Sequence, residues 1–169
     1  TDLANQEVPP GFQFLHCIVN EAEGGGSTFA DGFRLAEDLR LDSPEFFETL
    51  STLDIPFRFQ DDEYDIRERV PVIVLNRNRT VREIRYNAHL ADILDLPIAE
   101  LDRFYSAYRT FMERIHSPAY KIALKLKPGE MVVFDNRRSL HGREAFDPST
   151  GARHLQGCYV DRGEFLSKI

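Results

Sequence analysis

Apolar and polar positions follow two distinct periods along this chain, and the switch between them marks its organisation. Gly11–Val19 (GFQFLHCIV) is a short, nearly continuous apolar run, the pattern of a buried strand. The Gly24-Gly25-Gly26 triplet predicts a turn, Ser27–Ala30 a second short strand, and Asp31-Gly32 its end. From Phe33 to Leu41 the apolar positions take helical spacing, with Phe33, Ala36 and Leu39–Leu41 towards one face. Ser43 reads as the N-cap of a helix over Pro44–Leu53, since proline suits the first helical position. Phe57 and Phe59 alternate with polar residues as in a half-buried strand, and Asp61–Arg69 reads as a charged loop or edge. Pro71–Leu75 and Val81–Tyr86 read as a strand pair around an Asn76–Thr80 turn. Leu101, Phe104, Tyr105, Tyr108, Phe111, Met112 and Ile115 then recur at steps of three and four, which predicts a long amphipathic helix over Pro97–Ile115.

The last third returns to strands. Tyr120–Leu126 alternates, Lys127–Glu130 is a turn, and Met131–Phe134 is a tight apolar strand. Arg138–Leu140 leads into His141, which is expected just past a strand end, and His154–Val160 forms the final strand. Many short strands with helices grouped in inserts predict a mainly β, double-sheet architecture with helical insertions. No internal repeat or boundary divides the 169 residues, so one domain over 1–169 is expected.

Composition narrows the function classes. With 42% hydrophobic and 29% charged residues the chain has the balance of a globular protein, and no apolar run is long enough to span a bilayer. A net charge of -7 argues against a nucleic-acid partner, which needs a basic footprint. It leaves room for a small anionic ligand held by one or two local arginines. The two cysteines, Cys17 and Cys158, sit in apolar strand-like runs and are expected to be buried free thiols, which suits a reducing, cytoplasmic compartment.

Candidate chemistry is sparse. Two His and one carboxylate on one face of an iron leave open positions for a chelating co-substrate and O₂. His141, in Leu140-His141-Gly142-Arg143, and Asp2, expected just before a strand, are the candidates. Arg153 lies 12 positions beyond His141 (153 − 141) and opens the next strand, where its planar fork suits a carboxylate. Asp135-Asn136 reads as a turn that bonds its own backbone and so positions His141.

Five strings together resemble the γ-butyrobetaine hydroxylase family, within the taurine-dioxygenase-like group of 2-oxoglutarate oxygenases. They are Thr1-Asp2-Leu3, Phe14-Leu15-His16-Cys17, Asp31-Gly32-Phe33, Phe134–Arg143 (FDNRRSLHGR) and Arg153–Asp161 (RHLQGCYVD). The resemblance runs the length of the chain. Ile84-Arg85-Tyr86-Asn87 and Tyr105–Thr110 suit the trimethyllysine hydroxylases equally. It implies a double-stranded β-helix (jelly roll) and hydroxylation of a trimethylammonium acid with Fe(II), 2-oxoglutarate and O₂, ascorbate serving as an accessory reductant. By the same resemblance Asp2 and His141 are metal ligands and Arg153 grips the distal carboxylate of 2-oxoglutarate. Leu15 lines the co-substrate pocket, Asn87 contacts the substrate carboxylate, and Tyr159 walls the aromatic cage, since a quaternary ammonium is held by ring faces.

The family's first metal His and its N-terminal domain are expected ahead of Thr1, so these residues are expected to be the C-terminal catalytic part, poorly active alone. His16, whose neighbour Leu15 faces the pocket, points the other way and does not replace that His. His89, His116 and His154 are expected to be structural or solvated. A sister oxygenase acting on trimethyllysine or another small acid is the first alternative. A scaffold or homodimer partner, using the long amphipathic helix as an interface, is the second.

Overall fold

The computed structural model describes residues 1–169. A loop over 1–11 leads into strand β1 (Phe12–Asn20), then β2 (Glu23–Gly24) and β3 (Ser27–Asp31). Helices α1 (Gly32–Asp42) and α2 (Pro44–Thr52) follow, then β4 (Ile55–Gln60), β5 (Asp65–Val70), β6 (Ile73–Leu75), β7 (Val81–Ile84) and the long helix α3 (Ile98–His116). The chain ends with β8 (Lys121–Leu124), β9 (Met131–Asp135), β10 (Ser139–Arg143), β11 (Phe146–Asp147), β12 (Arg153–Val160) and α4 (Arg162–Leu166).

Two three-stranded antiparallel sheets, ordered β12-β1-β9 and β10-β3-β8, make the jelly roll. Their inner faces meet through rings: Phe29 of β3 and Phe134 of β9 pack edge to face at 5.2 Å. Everything from α1 to α3 is one insertion between β3 and β8. It carries its own core, in which Leu35, Leu39, Phe47, Leu50, Phe104 and Phe111 pack on Phe57, Ile73 and Ile84. Ala4, Ala30 and Leu140 belong to that same cluster, so the insertion is welded to the sheets beside β10.

The helix starts differ in a way the sequence pattern does not resolve. Asp31 caps α1, its Oδ1 accepting from the Phe33 and Arg34 N–H groups (3.0 and 3.3 Å). Ser43 does stand at the N-cap of α2, but its side chain makes no capping bond. On α3 the buried stripe is Phe104, Ala107 and Phe111, with Tyr108 and Ile115 alongside. Tyr105 and Met112 are exposed, because each sits about 100° around the helix from its buried neighbour. Asp65–Val70 is a strand paired to β4 rather than a loop. Phe57 is buried while Phe59, on the same face, emerges as the β4–β5 hairpin leaves the core. Cys17 is buried as expected, but Cys158 is exposed: it lies on the outer face of the β12-β1-β9 sheet.

Candidate metal and carboxylate site

A cavity of about 570 Å³ opens between the two sheets. Leu15 and Leu155 line it from one sheet and Phe29 and His141 from the other, while Tyr86–His89 and the end of α3 close its side.

His141 is inside β10, paired with Phe29, not beyond a strand end. Strand alternation explains its direction: Leu140 turns into the insertion core, so His141 faces the cavity. The Phe134 ring packs against the imidazole at 4.8 Å. Gly142 lets β3 come close, since a Cβ there would sit 3.1 Å from Thr28 Oγ1.

Asp2 arrives from the other side, on the 1–11 loop and well ahead of β1. His141 Nε2 and Asp2 Oδ1 are 3.4 Å apart. That is longer than a charge-assisted hydrogen bond. Two donors at about 2.1 Å from one octahedral ion sit roughly 3 Å apart, so the pair fits a small divalent cation of the imidazole–carboxylate class. His141 Nδ1 is buried with no partner. No third His, Cys, Asp or Glu joins the pair. Burial raises the Asp2 carboxyl, but the close His141 imidazole, the Tyr159 hydrogen bond and the nearby N-terminal ammonium outweigh it and hold the group well below the usual carboxylate range. The Tyr159 hydroxyl donates to Asp2 Oδ2 (2.7 Å), and burial together with that carboxylate pushes the phenol up.

The Asp135-Asn136 turn holds Asp2, not His141. Asn136 is fully buried. Its Oδ1 accepts from the Asp2 N–H (2.9 Å), and its Nδ2 donates to the Asp2 and Pro10 carbonyls (3.0 and 3.3 Å). Asp135 bonds its own turn as expected, Oδ1 accepting from the Arg137 N–H (2.9 Å), while Oδ2 accepts from Arg162 Nη1 (2.7 Å).

Arg153 lines the same cavity from the first position of β12. Nη2 donates to Gly25 O (3.3 Å), Nε is buried without a partner, and no carboxylate of the chain pairs with it. Gly25, at φ 70°, is what allows this close approach: a Cβ there would lie 2.9 Å from Arg153 Nε. Burial and the nearby Arg143 charge lower the Arg153 guanidinium from its ordinary value, which is the mark of a cation short of an anion.

Leu15 and Asn87 also line the cavity. Asn87 is partly engaged, its Oδ1 accepting from His89 and Leu90 N–H and its Nδ2 donating to Thr1 O (3.2 Å). Tyr159 reaches the site through its hydroxyl, leaving a half-exposed ring. His89 and His116 are solvent-exposed as expected, yet both stand in the cavity wall. The contacts of Asn136 and the Tyr159 hydroxyl to Asp2 are invisible in sequence, because they join positions 134 and 157 residues apart.

The chain matches the family model described as taurine catabolism dioxygenase TauD, TfdA family over residues 1–159. It is 46% identical over 169 residues to the γ-butyrobetaine dioxygenase of Pseudomonas sp. (strain AK-1), covering all of this chain and 44% of that protein. It is 33% identical over 174 residues to the human γ-butyrobetaine dioxygenase (100% and 45% covered). It is 35% identical over 173 residues to the mitochondrial trimethyllysine dioxygenase of Gallus gallus (99% and 41% covered). The chain thus spans under half the length of these curated relatives. Among solved structures, AAD-2 in complex with Mn(II) and N-oxalylglycine superposes with a TM-score of 0.71 at 19% identity, covering 94% of this chain and 66% of that one. Asparagine oxygenase in complex with Fe(II), 2S,3S-3-hydroxyasparagine and succinate gives 0.70 at 24% identity, with 93% and 47% covered. Both likenesses establish the shared fold.

Proposed function

The chain belongs to the taurine catabolism dioxygenase TauD, TfdA family, and on that premise we propose that it is catalytic sequence of an Fe(II)- and 2-oxoglutarate-dependent hydroxylase that converts γ-butyrobetaine to L-carnitine. The observation that carries this reading is the pairing, in one cavity, of the facing Asp2–His141 donors with an Arg153 that has no anion of its own. The 46% and 33% identities to two γ-butyrobetaine dioxygenases support the choice of substrate.

Asp2 and His141 supply two of the three ligands that the family pattern asks for. When bound, iron with 2-oxoglutarate supplies the oxidising power: O₂ and the 2-oxo acid are consumed, succinate and CO₂ leave, and one oxygen atom enters a substrate C–H bond. Arg153 takes the distal carboxylate of 2-oxoglutarate in a charge-assisted grip, with Leu15 as an apolar wall that keeps the co-substrate straight. Asn87 meets the substrate carboxylate through its remaining amide hydrogen. The Tyr159 ring faces the trimethylammonium group, while its hydroxyl steadies Asp2. Holding a flexible substrate at both ends leaves one C–H group at the reacting position, which gives regioselectivity by orientation alone. The reading places the enzyme in the cytoplasm, with ascorbate as an accessory reductant.

The test is turnover by the protein as its gene encodes it in full, with Fe(II) and 2-oxoglutarate, offering γ-butyrobetaine and trimethyllysine in parallel. Succinate released in step with carnitine is expected. Coupling to trimethyllysine alone, for which the 35% identity to a trimethyllysine dioxygenase speaks, would replace the substrate and keep the chemistry. Binding of Fe(II) with no succinate from either amine would reject both.

A further inference from the structure

Arg85 directly follows β7 (Val81–Ile84) and is buried, only 3% exposed. Its backbone continues β7, the N–H donating to Val72 O (2.8 Å). The guanidinium points away from the cavity, into the folded 1–11 loop. Nη1 donates to Ala4 O (2.9 Å) and Gln6 O (2.5 Å), Nη2 donates to Glu7 O (3.0 Å), and Nε pairs with Glu83. Glu83 is 2% exposed and lies two residues back on the same strand face, so the buried charge is balanced within the element that carries it.

Three carbonyls of one short loop on one guanidinium is an unusual use of a buried charge. The loop has no helix or strand ladder of its own to satisfy those carbonyls. It also holds Leu3 at φ 56°, a left-handed conformation that a non-glycine residue keeps only when its surroundings insist. Asn136 grips the Asp2 end of this loop, and Arg137 donates to Pro9 O (2.8 Å) where the loop rejoins β1. Arg85 supplies the third side. Beyond it, Tyr86 and Asn87 run straight into the cavity wall and bond back to Thr1.

We propose that Arg85, neutralised by Glu83, is a positioning residue that sets Asp2 opposite His141 by holding the carbonyls of Ala4, Gln6 and Glu7. The inference rests on the reading of Asp2 as a metal ligand. The planar fork is what the task needs: three acceptors spread around one plane suit a guanidinium, whereas an ammonium gathers its donors at a single point. Arg85→Lys keeps the charge for Glu83 and gives up most of the carbonyl contacts.

The experiment takes the full-length protein and its Arg85→Lys and Glu83→Gln variants through two readouts. The first is hydrogen exchange at the amides of residues 2–7, with β1 and β12 as internal references. The second is Mn(II) affinity measured without co-substrate or turnover. Arg85→Lys is expected to speed exchange in the 2–7 loop about tenfold or more with the reference strands unchanged, and to weaken Mn(II) binding about tenfold, the low end of what losing a direct partner of a metal ligand costs, because Arg85 acts on Asp2 only through the loop. If Arg85→Lys does not fold, Glu83→Gln carries the test and is expected to shift both readouts in the same direction. Lower overall stability with unchanged loop exchange and unchanged Mn(II) affinity in the folded protein would overturn the proposal and leave Arg85 a core residue. Failure of the unaltered protein to bind Mn(II) would reject the metal site itself, and loop exchange in the variants would still decide whether Arg85 is the clamp.

Discussion

Replacing Asn136 tests how the loop that carries Asp2 is held. The side chain is fully buried and makes three hydrogen bonds, accepting one from the Asp2 N–H and donating to the Asp2 and Pro10 carbonyls. Asn136→Ala removes all three and strands one N–H and two carbonyls. At about 1 kcal/mol for each bond, with more where the partner stays dry, the loss is about 3 kcal/mol. For a chain of this size that corresponds to a fall in Tm of roughly 6–12 °C. Asn136→Asp is the sharper variant. It keeps the acceptor for the Asp2 N–H and turns the donor into an oxygen facing two carbonyl oxygens, so it should be at least as destabilising as alanine despite its near-identical shape. Urea unfolding followed by fluorescence and by circular dichroism gives the stabilities, and an Mn(II) titration gives the consequence at Asp2. If Asn136→Asp unfolds within about 0.5 kcal/mol of the unaltered protein, below the worth of a single typical hydrogen bond, the hydrogen bonds described are not what holds the loop.

Substitutions at four further residues have expected outcomes. His141→Ala should abolish Fe(II)-dependent turnover and sharply weaken Mn(II) binding; retained affinity would remove His141 from the metal site. Arg153→Leu should raise the KM for 2-oxoglutarate far more than that for the amine, and equal changes in steady-state assays would make Arg153 structural. Tyr159→Phe keeps the ring and loses the bond to Asp2, so it should weaken metal binding and spare amine binding. Tyr159→Leu should in addition weaken a trimethylammonium substrate against a neutral isostere by about 0.5–2 kcal/mol, and equal losses for the two ligands would refute the ring contact. Asp31→Ala should cost about 1 kcal/mol through the lost α1 cap. Burial raises the Asp31 carboxyl, but Arg138 and the α1 N–H groups outweigh it and depress it in the folded state. Its contribution is therefore present above the unfolded carboxyl value near 3.8 and lost as pH falls through the lower folded value. A stability difference between Asp31→Ala and the parent that does not shrink on acidification would contradict this.

Much of this protein was readable before its structure. The apolar runs at Gly11–Val19, Met131–Phe134 and His154–Val160 are strands β1, β9 and β12, because a short apolar run bounded by turn residues favours a buried strand from local sequence alone. The spacing of Phe104, Tyr108, Phe111 and Ile115 became the inner stripe of α3, again from local sequence. Periodicity could not say which borderline positions lie inside. Tyr105, Met112 and Cys158 are as apolar as their neighbours, and their exposure follows from what packs on the next face.

The candidate site divides along the same line. Sequence by itself determined the fold class and the identity of the groups that can do chemistry. An imidazole at position 141, a carboxylate at position 2 and a guanidinium at position 153 owe their donor atoms and charge to residue type, which folding does not alter. Only the tertiary structure decided that Asp2 and His141, 139 residues apart (141 − 2), meet at 3.4 Å. It also decided that Asn136 serves Asp2 rather than His141, and that Arg85 turns into the loop. The physical reason is that a hydrogen bond or a shared ligand depends on approach within about 3 Å. Here the approach comes from the sheet register that turns His141 to the cavity and from the Asn136 bonds that hold the 1–11 loop. It is a long-range property that no window of the sequence contains.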